Sequence, residues 1–185
     1  SGSPFLLTAL SGTRGTQHRA IGQNLTTASI ADWTHVALSL KNSGTAIETN
    51  LYINGALNRQ ESISGTSLGN VTGSLISYIG ALQTAPSGAS TVQTGAGKFS
   101  GSMDEFRYWK TARTHEEIAK NYFRHVDGGT NTDIANTELG VYFKFNEGIT
   151  GVTATDSTVL DYSGRITNGT WVNYPGSGAR NSGSA

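Results

Sequence analysis

Short segments of alternating apolar and polar residues, interrupted by glycine and asparagine, constrain this chain more than any other feature. They fall at Phe5–Leu10, Trp33–Lys41, Ile47–Asn54, Leu75–Leu82, Met103–Lys110, Leu139–Asn146 and Gly169–Tyr174. In an extended chain successive side chains point to opposite faces, so each segment can bury one row and expose the other. Regular short strands separated by turn residues predict a sandwich or barrel. Within LYINGAL, Asn54-Gly55 can supply the two positive φ angles of a type I′ hairpin turn. The 24 glycines, set against only 3 prolines, fit many tight turns. A length of 185 residues suits one domain with a sizeable core.

One segment carries helical spacing instead. Thr114 can cap a helix while Glu117 reaches back to the cap N–H, and Ile118, Tyr122 and Phe123 follow as an apolar stripe. These signals predict a helix over Thr114–Phe123. Glu116 and Glu117 then occupy first-turn positions that the helix dipole favours, a structural role. The Ser-, Thr-, Gly- and Ala-rich stretch Ala81–Gly97 reads as an exposed loop, and Asp127–Glu138 as a polar connector. The closing PGSGARNSGSA reads as a flexible or truncated end.

Composition excludes several chemistries. Without cysteine there is no disulfide, thiolate metal site or thiol nucleophile. With 13 basic against 13 acidic residues, no broad field attracts nucleic acid or an anionic membrane. No apolar run approaches the ~18 residues of a membrane-spanning helix, so membrane insertion is not expected and the chain reads as soluble or as a piece of something larger. His18, His35, His115 and His125 are scattered rather than set at ligand spacing. His35 reads as a packed strand residue and His115 as part of the helix cap. No G-x-S-x-G elbow supports a hydrolase triad.

The stretch GSMDEFRYWK, from Gly101 to Lys110, places two adjacent acids on an aromatic strand. Strand alternation gives Asp104, Phe106 and Tyr108 one face and Glu105, Arg107 and Trp109 the other. Asp104 then lies at the rim of the core and needs an arginine, backbone donors or a cation. Glu105 and Arg107 form a solvent-side pair of little energetic value. The two carboxylates of a glycosidase must face one scissile bond, about 5 to 9.5 Å apart, which neighbours on opposite faces cannot do. The pair therefore reads as part of a non-catalytic frame.

Taken in order, DWTHVALSL, LYINGAL, SYIGAL, GKFSGSMDEFRYWKTARTHEEIAKNY, and LGVYFKFNEG with DYSGRITNGTW resemble the laminin-G-like branch of the concanavalin A-like lectin and glucanase superfamily. The resemblance covers about Asp32–Tyr122 and again Leu139–Trp171. It implies an all-β, two-sheet antiparallel jelly-roll sandwich with one short α-helix, and it places Trp33 of WTHVA within the sandwich. In such domains a segment like LGVYFKFNEG followed by DYSGRITNGT usually comes first, whereas here it follows the helix. The chain is then one domain over 1–185, circularly permuted or an excerpt across a repeat junction, with 1–126 ending one module and 139–185 starting the next. FKFNEGITG and LDYSGRITNGTW further resemble segments of large structural proteins of marine tailed phages.

The same resemblance implies sites. Calcium near a sandwich edge would draw on Asp104, Asp161 of DYSG and Asn168 of TNGT. The alternative is that Asp161 and Asn168 are turn formers whose side chains bond their own backbone. Sugar stacking would use the rings of Tyr108, Trp109, Trp171 and Tyr174, which alternation otherwise assigns to the core. The expected function is a non-catalytic recognition or adhesion module on an extracellular or virion surface protein, with glycans or cell-surface polysaccharide as partner. The alternative is a structural spacer that packs against other chains of a virion or surface assembly. A glycoside hydrolase ranks third.

Overall fold

The computed structural model of the protein describes residues 5–71, 77–80, 99, 101–126, 138–146 and 158–170. The chain divides into two units, Ser1–Gly101 with Ala112–Phe123, and Ser102–Thr111 with Arg124–Ala185. Among the described residues it is mostly β-strand in antiparallel sheets with a short α-helix, consistent with a concanavalin A-like β-sandwich. No helix among the described residues is long and apolar enough to cross a membrane.

In the first unit, β1 (Phe5–Ser11) and β2 (Arg14–Ile21) form a hairpin, and β3 (Val36–Ser43), β4 (Ala46–Ile53) and β5 (Ala56–Ser64) form a meander. The β4–β5 turn is the one the sequence predicts, with Asn54 at φ 49° and Gly55 at φ 76°. Glycine is needed there twice over, because a Cβ on Gly55 would also come within 2.4 Å of the Tyr122 ring. The central strand β4 is buried on both faces. On one, Leu51 joins Ile63 of β5 to meet Leu7 and Ile21 of the hairpin, with Phe5, Ala9 and Leu25 packed around them. On the other, Tyr52 stacks on His115 with ring centroids 5.7 Å apart. Each such aliphatic side chain, fully buried, contributes about 1.5–3 kcal/mol.

Polar contacts tie the hairpin to β5. Arg19 and Arg59 both pair with Glu61, the latter at 3.4 Å. The Asn58 amide closes a ring with the backbone of Gln23, accepting its N–H at 2.7 Å and donating to its carbonyl at 3.2 Å. Helix α1 (His115–Asn121) has the predicted cap: Glu117 N–H donates to the Thr114 hydroxyl at 3.3 Å, and Thr114 N–H to the Glu117 carboxylate at 2.8 Å. Ile118 is its buried residue, and Tyr122 lies 5.6 Å from His35, ring to ring. Phe123, expected in the same stripe, is 67% exposed because the helix stops at Asn121 and the last ring leaves the helical face.

In the second unit β6 (Phe106–Trp109) pairs with β7 (Leu139–Phe143), and β8 (Thr158–Val159) with β9 (Gly169–Thr170). Leu139, Tyr142 and Phe143 of β7 are buried, Phe143 stacking on Phe106 at 6.0 Å. Both strands are shorter than their alternation predicts. Glu105 at φ 54° ends β6 on one side, and Phe145 at φ 53° lies just beyond the end of β7. Strands β2, β5 and β8 lie outside the alternating segments. The expected strand Leu75–Leu82 and the expected loop Ala81–Gly97 fall wholly or partly outside the described residues, and 77–80 are not strand.

Candidate functional site

The acid stretch does not continue the strand. A positive φ of 54° at Glu105 puts a non-glycine residue in the left-handed region and reverses the facing of the two acids. Asp104, expected at the rim of the core, is exposed, and its Oδ1 accepts the N–H of Glu105 at 2.8 Å. Glu105, expected to face solvent, is the half-buried acid. Its Oε2 accepts from the Tyr142 hydroxyl and, at 2.8 Å, from Nη2 of Arg107, while Nδ1 of His125 lies 3.4 Å from Oε1. Arg107 also donates to the carbonyl of Arg124 at 2.7 Å, and its guanidinium lies 5.2 Å from the Tyr142 ring centre.

Burial works against ionisation of Glu105. The hydrogen bonds from Tyr142 and Arg107 and the charges of Arg107 and His125 outweigh it, so the carboxyl stays below the usual range. Tyr142, 0% exposed, is pushed up to about 12 by burial and by its bond to the Glu105 carboxylate. A carboxylate held ionised, with chain partners at both oxygens, is set to anchor β6 to β7. A general acid needs the opposite shift and a free face toward its substrate.

Asp161 is a second polar anchor. Its Oδ1 accepts the N–H groups of Tyr142 and Ser163, both at 2.9 Å. Its Oδ2 accepts the Ser163 hydroxyl at 2.8 Å and the Thr167 N–H at 3.0 Å. Burial again opposes the charge, and these four donors override it, lowering the pKa. Asn168 is brought to the same turn, where its Oδ1 accepts the N–H of Asp161 at 3.0 Å. Asp161 and Asn168 therefore meet as the acceptors of a turn, with N–H and O–H groups aimed at the very oxygens a cation would need. Asp104 is engaged by its own neighbour. These three residues do not fit a calcium site, and among the described residues no three His, Cys, Asp or Glu converge as metal ligands.

Of the rings expected to stack on sugar, Tyr108 is partly exposed and lies over Gly140, where a Cβ would come within 2.8 Å of its Cδ1. Trp109 is half-buried, and Trp171 and Tyr174 lie outside the described residues. Among the described Trp, Tyr and Phe rings, Trp33 is the most exposed. Expected inside the sandwich, it is 75% exposed because β3 begins only at Val36. The backbone beneath it is fixed: His35 N–H donates to the Asn54 side chain at 2.9 Å, Asn54 N–H to the His35 carbonyl at 2.8 Å, and the Thr34 hydroxyl to the Asp32 carbonyl at 2.9 Å. Sequence alternation missed Trp33, although Asp-Trp-Thr ahead of the strand is turn chemistry.

Antiparallel sheets with a capped α-helix fit a β-sandwich class shared by lectins and enzymes. The laminin G-like model of the concanavalin A-like lectin/glucanases superfamily matches residues 5–119, and the chain belongs to this family. No curated protein and no solved structure matches the chain.

Proposed function

We propose that this protein is a non-catalytic glycan-recognition module of an extracellular or virion surface. The observation that carries this is Trp33, an indole open to solvent on a backbone locked by the β4–β5 turn, in a member of a lectin-containing superfamily. A large flat ring beside a fixed backbone offers stacking area to a pyranose. The non-catalytic part of the reading is supported by Glu105, whose oxygens both face chain partners. Binding to an array of neutral and acidic oligosaccharides should be found for the wild type, and Trp33→Ala should weaken it about tenfold or more. Absence of any bound glycan would overturn the reading, and an unchanged array with Trp33→Ala would remove Trp33 from it. Reducing ends released from the bound polysaccharide would overturn its non-catalytic part.

A second reading, an assembly module of a virion or surface structure, is favoured by Val36, Leu38 and Leu40. They form an exposed apolar row on β3, which among the described residues is an edge strand of its sheet. Concentration-dependent association in sedimentation, abolished by Leu38→Lys, would support this reading.

A further inference from the structure

We propose that a cleft lined by Arg14, Thr45, Gly65 and Ser67 is a subsite for the single negative charge of an acidic saccharide, with a uronate carboxylate as the favoured group. The proposal rests on the glycan-recognition reading and names a ligand class for it. Three chain reversals build the cleft: the β1–β2 turn supplies Arg14, the β3–β4 turn Thr45, and the segment leaving β5 Gly65 and Ser67. Its volume is about 320 Å³, at the small end of the roughly 300–1,000 Å³ of ligand sites. The depression is open to solvent, and Arg14, Thr45 and Gly65 on its lining are exposed.

The walls are fixed by the chain itself. Gly65 N–H donates to the Thr45 carbonyl at 3.0 Å. The Asn42 side chain holds the outgoing segment at three points, accepting from Leu68 N–H at 2.9 Å and the Ser67 hydroxyl at 3.2 Å and donating to the Gly69 carbonyl at 3.1 Å. Gly69 has φ 66°, and a Cβ there would come 2.9 Å from Nη1 of Arg14, so the missing side chain makes room for the guanidinium.

The charge is uncompensated. Arg19, Arg59, Arg107 and Arg113 each pair with a glutamate, whereas among the described residues no carboxylate pairs with Arg14. Among the described residues no acid lines the cleft, and Thr45 and Ser67 are its other side-chain-bearing lining residues. An arginine fork matches the two oxygens of a carboxylate. A neutral sugar in the same place would cover the guanidinium without answering its charge, which disfavours it.

The test is an amide NMR titration of the full chain with galacturonate, galactose, galactose 6-sulfate and inorganic sulfate at matched ionic strength. Galacturonate should shift the amides of Thr45, Gly65 and Ser67 and galactose should not. Arg14→Gln should weaken that binding about tenfold, with Arg14→Lys, which keeps charge but loses the fork, falling between. Unchanged amide dispersion elsewhere verifies that both variants fold. A stronger response to galactose 6-sulfate than to galacturonate would support the subsite with a sulfate ester as its group. Equal shifts from inorganic sulfate would mean an adventitious ion only, and would overturn the proposal, as would no shift or the same shift in Arg14→Gln. If the array shows Trp33-dependent glycan binding but galacturonate leaves the cleft silent, the subsite fails and the glycan reading stands. If galacturonate shifts the cleft through Arg14 and Trp33→Ala changes nothing on the array, Trp33 fails and the cleft stands.

Discussion

Strands β4 and β7 are both largely buried, yet what surrounds them differs. Around β4, Leu51 meets Leu7, Ile21 and Ile63, and the polar contacts of Glu61 and Asn58 lie along the margin of that cluster. Around β7, the buried Tyr142 is gripped at both ends, its N–H by Asp161 and its hydroxyl by Glu105. The first arrangement depends on volume and the second on satisfied donors. Apolar contacts tolerate an imperfect partner, whereas a buried donor without an acceptor loses its full hydration.

Deleting volume from the first region should have the largest effect. Leu51→Ala is expected to cost about 2–5 kcal/mol in denaturant titrations, through lost transfer energy and the cavity left behind. A cost below about 1 kcal/mol would mean the hairpin and meander collapse freely onto one another. In the second region Asp161→Ala should cost about 3 kcal/mol, because the N–H groups of Tyr142, Ser163 and Thr167 lose their acceptor together. Hydrogen exchange at the Tyr142 and Ser163 amides should accelerate in the variant. If only Thr167 responds, the turn is not coupled to β7.

Glu105→Ala should cost more than about 1 kcal/mol and Asp104→Ala should stay within about 0.5, as measured by thermal melts. That is the reverse of what strand alternation implies, and equal effects would show that Glu105 is not the anchor. Protonation should act more gently than deletion. Glu105 and Asp161 have folded pKa values below their unfolded ones, so their contribution is present above about pH 4 and is lost as pH falls through the folded values. Tyr142 has a raised folded pKa of about 12, so its contribution is present below about pH 10 and is lost as pH rises toward 12. Local exchange in β7 should therefore rise at both extremes, and a flat profile there would contradict both anchors.

The legible parts of the fold are those where one residue carries one local signal. Asn54-Gly55 gave the turn, and Thr114 with Glu117 gave the helix cap, because each motif satisfies its own backbone. The facing of Asp104 and Glu105 is illegible in the sequence because a period of two assumes an unbroken strand, whereas Glu105 has a positive φ and meets Tyr142 and Arg107, partners that the strand pattern does not reveal. Trp33, which the family resemblance places within the sandwich, lies ahead of β3, and alternation through Val36, Leu38 and Leu40 does not mark where the strand begins. The cleft around Arg14 left no motif at all, since its walls come from three separated turns.

The two-residue connection at Asn54-Gly55 also bears on the time course of folding. The β3–β4–β5 meander pairs residues close in sequence, such as Ile53 with Ala56, whereas β6 and β7 must bring Phe106 to Phe143. Closing the short hairpins takes about 1–10 μs and little chain entropy, while the distant pair waits on a longer search. We expect the meander to be the kinetic nucleus, so that Gly55→Ala, which strains the turn, slows refolding more than it speeds unfolding in stopped-flow experiments. A residue that touches no ligand would then govern how long the apolar row of β3 stays open to neighbouring chains during synthesis.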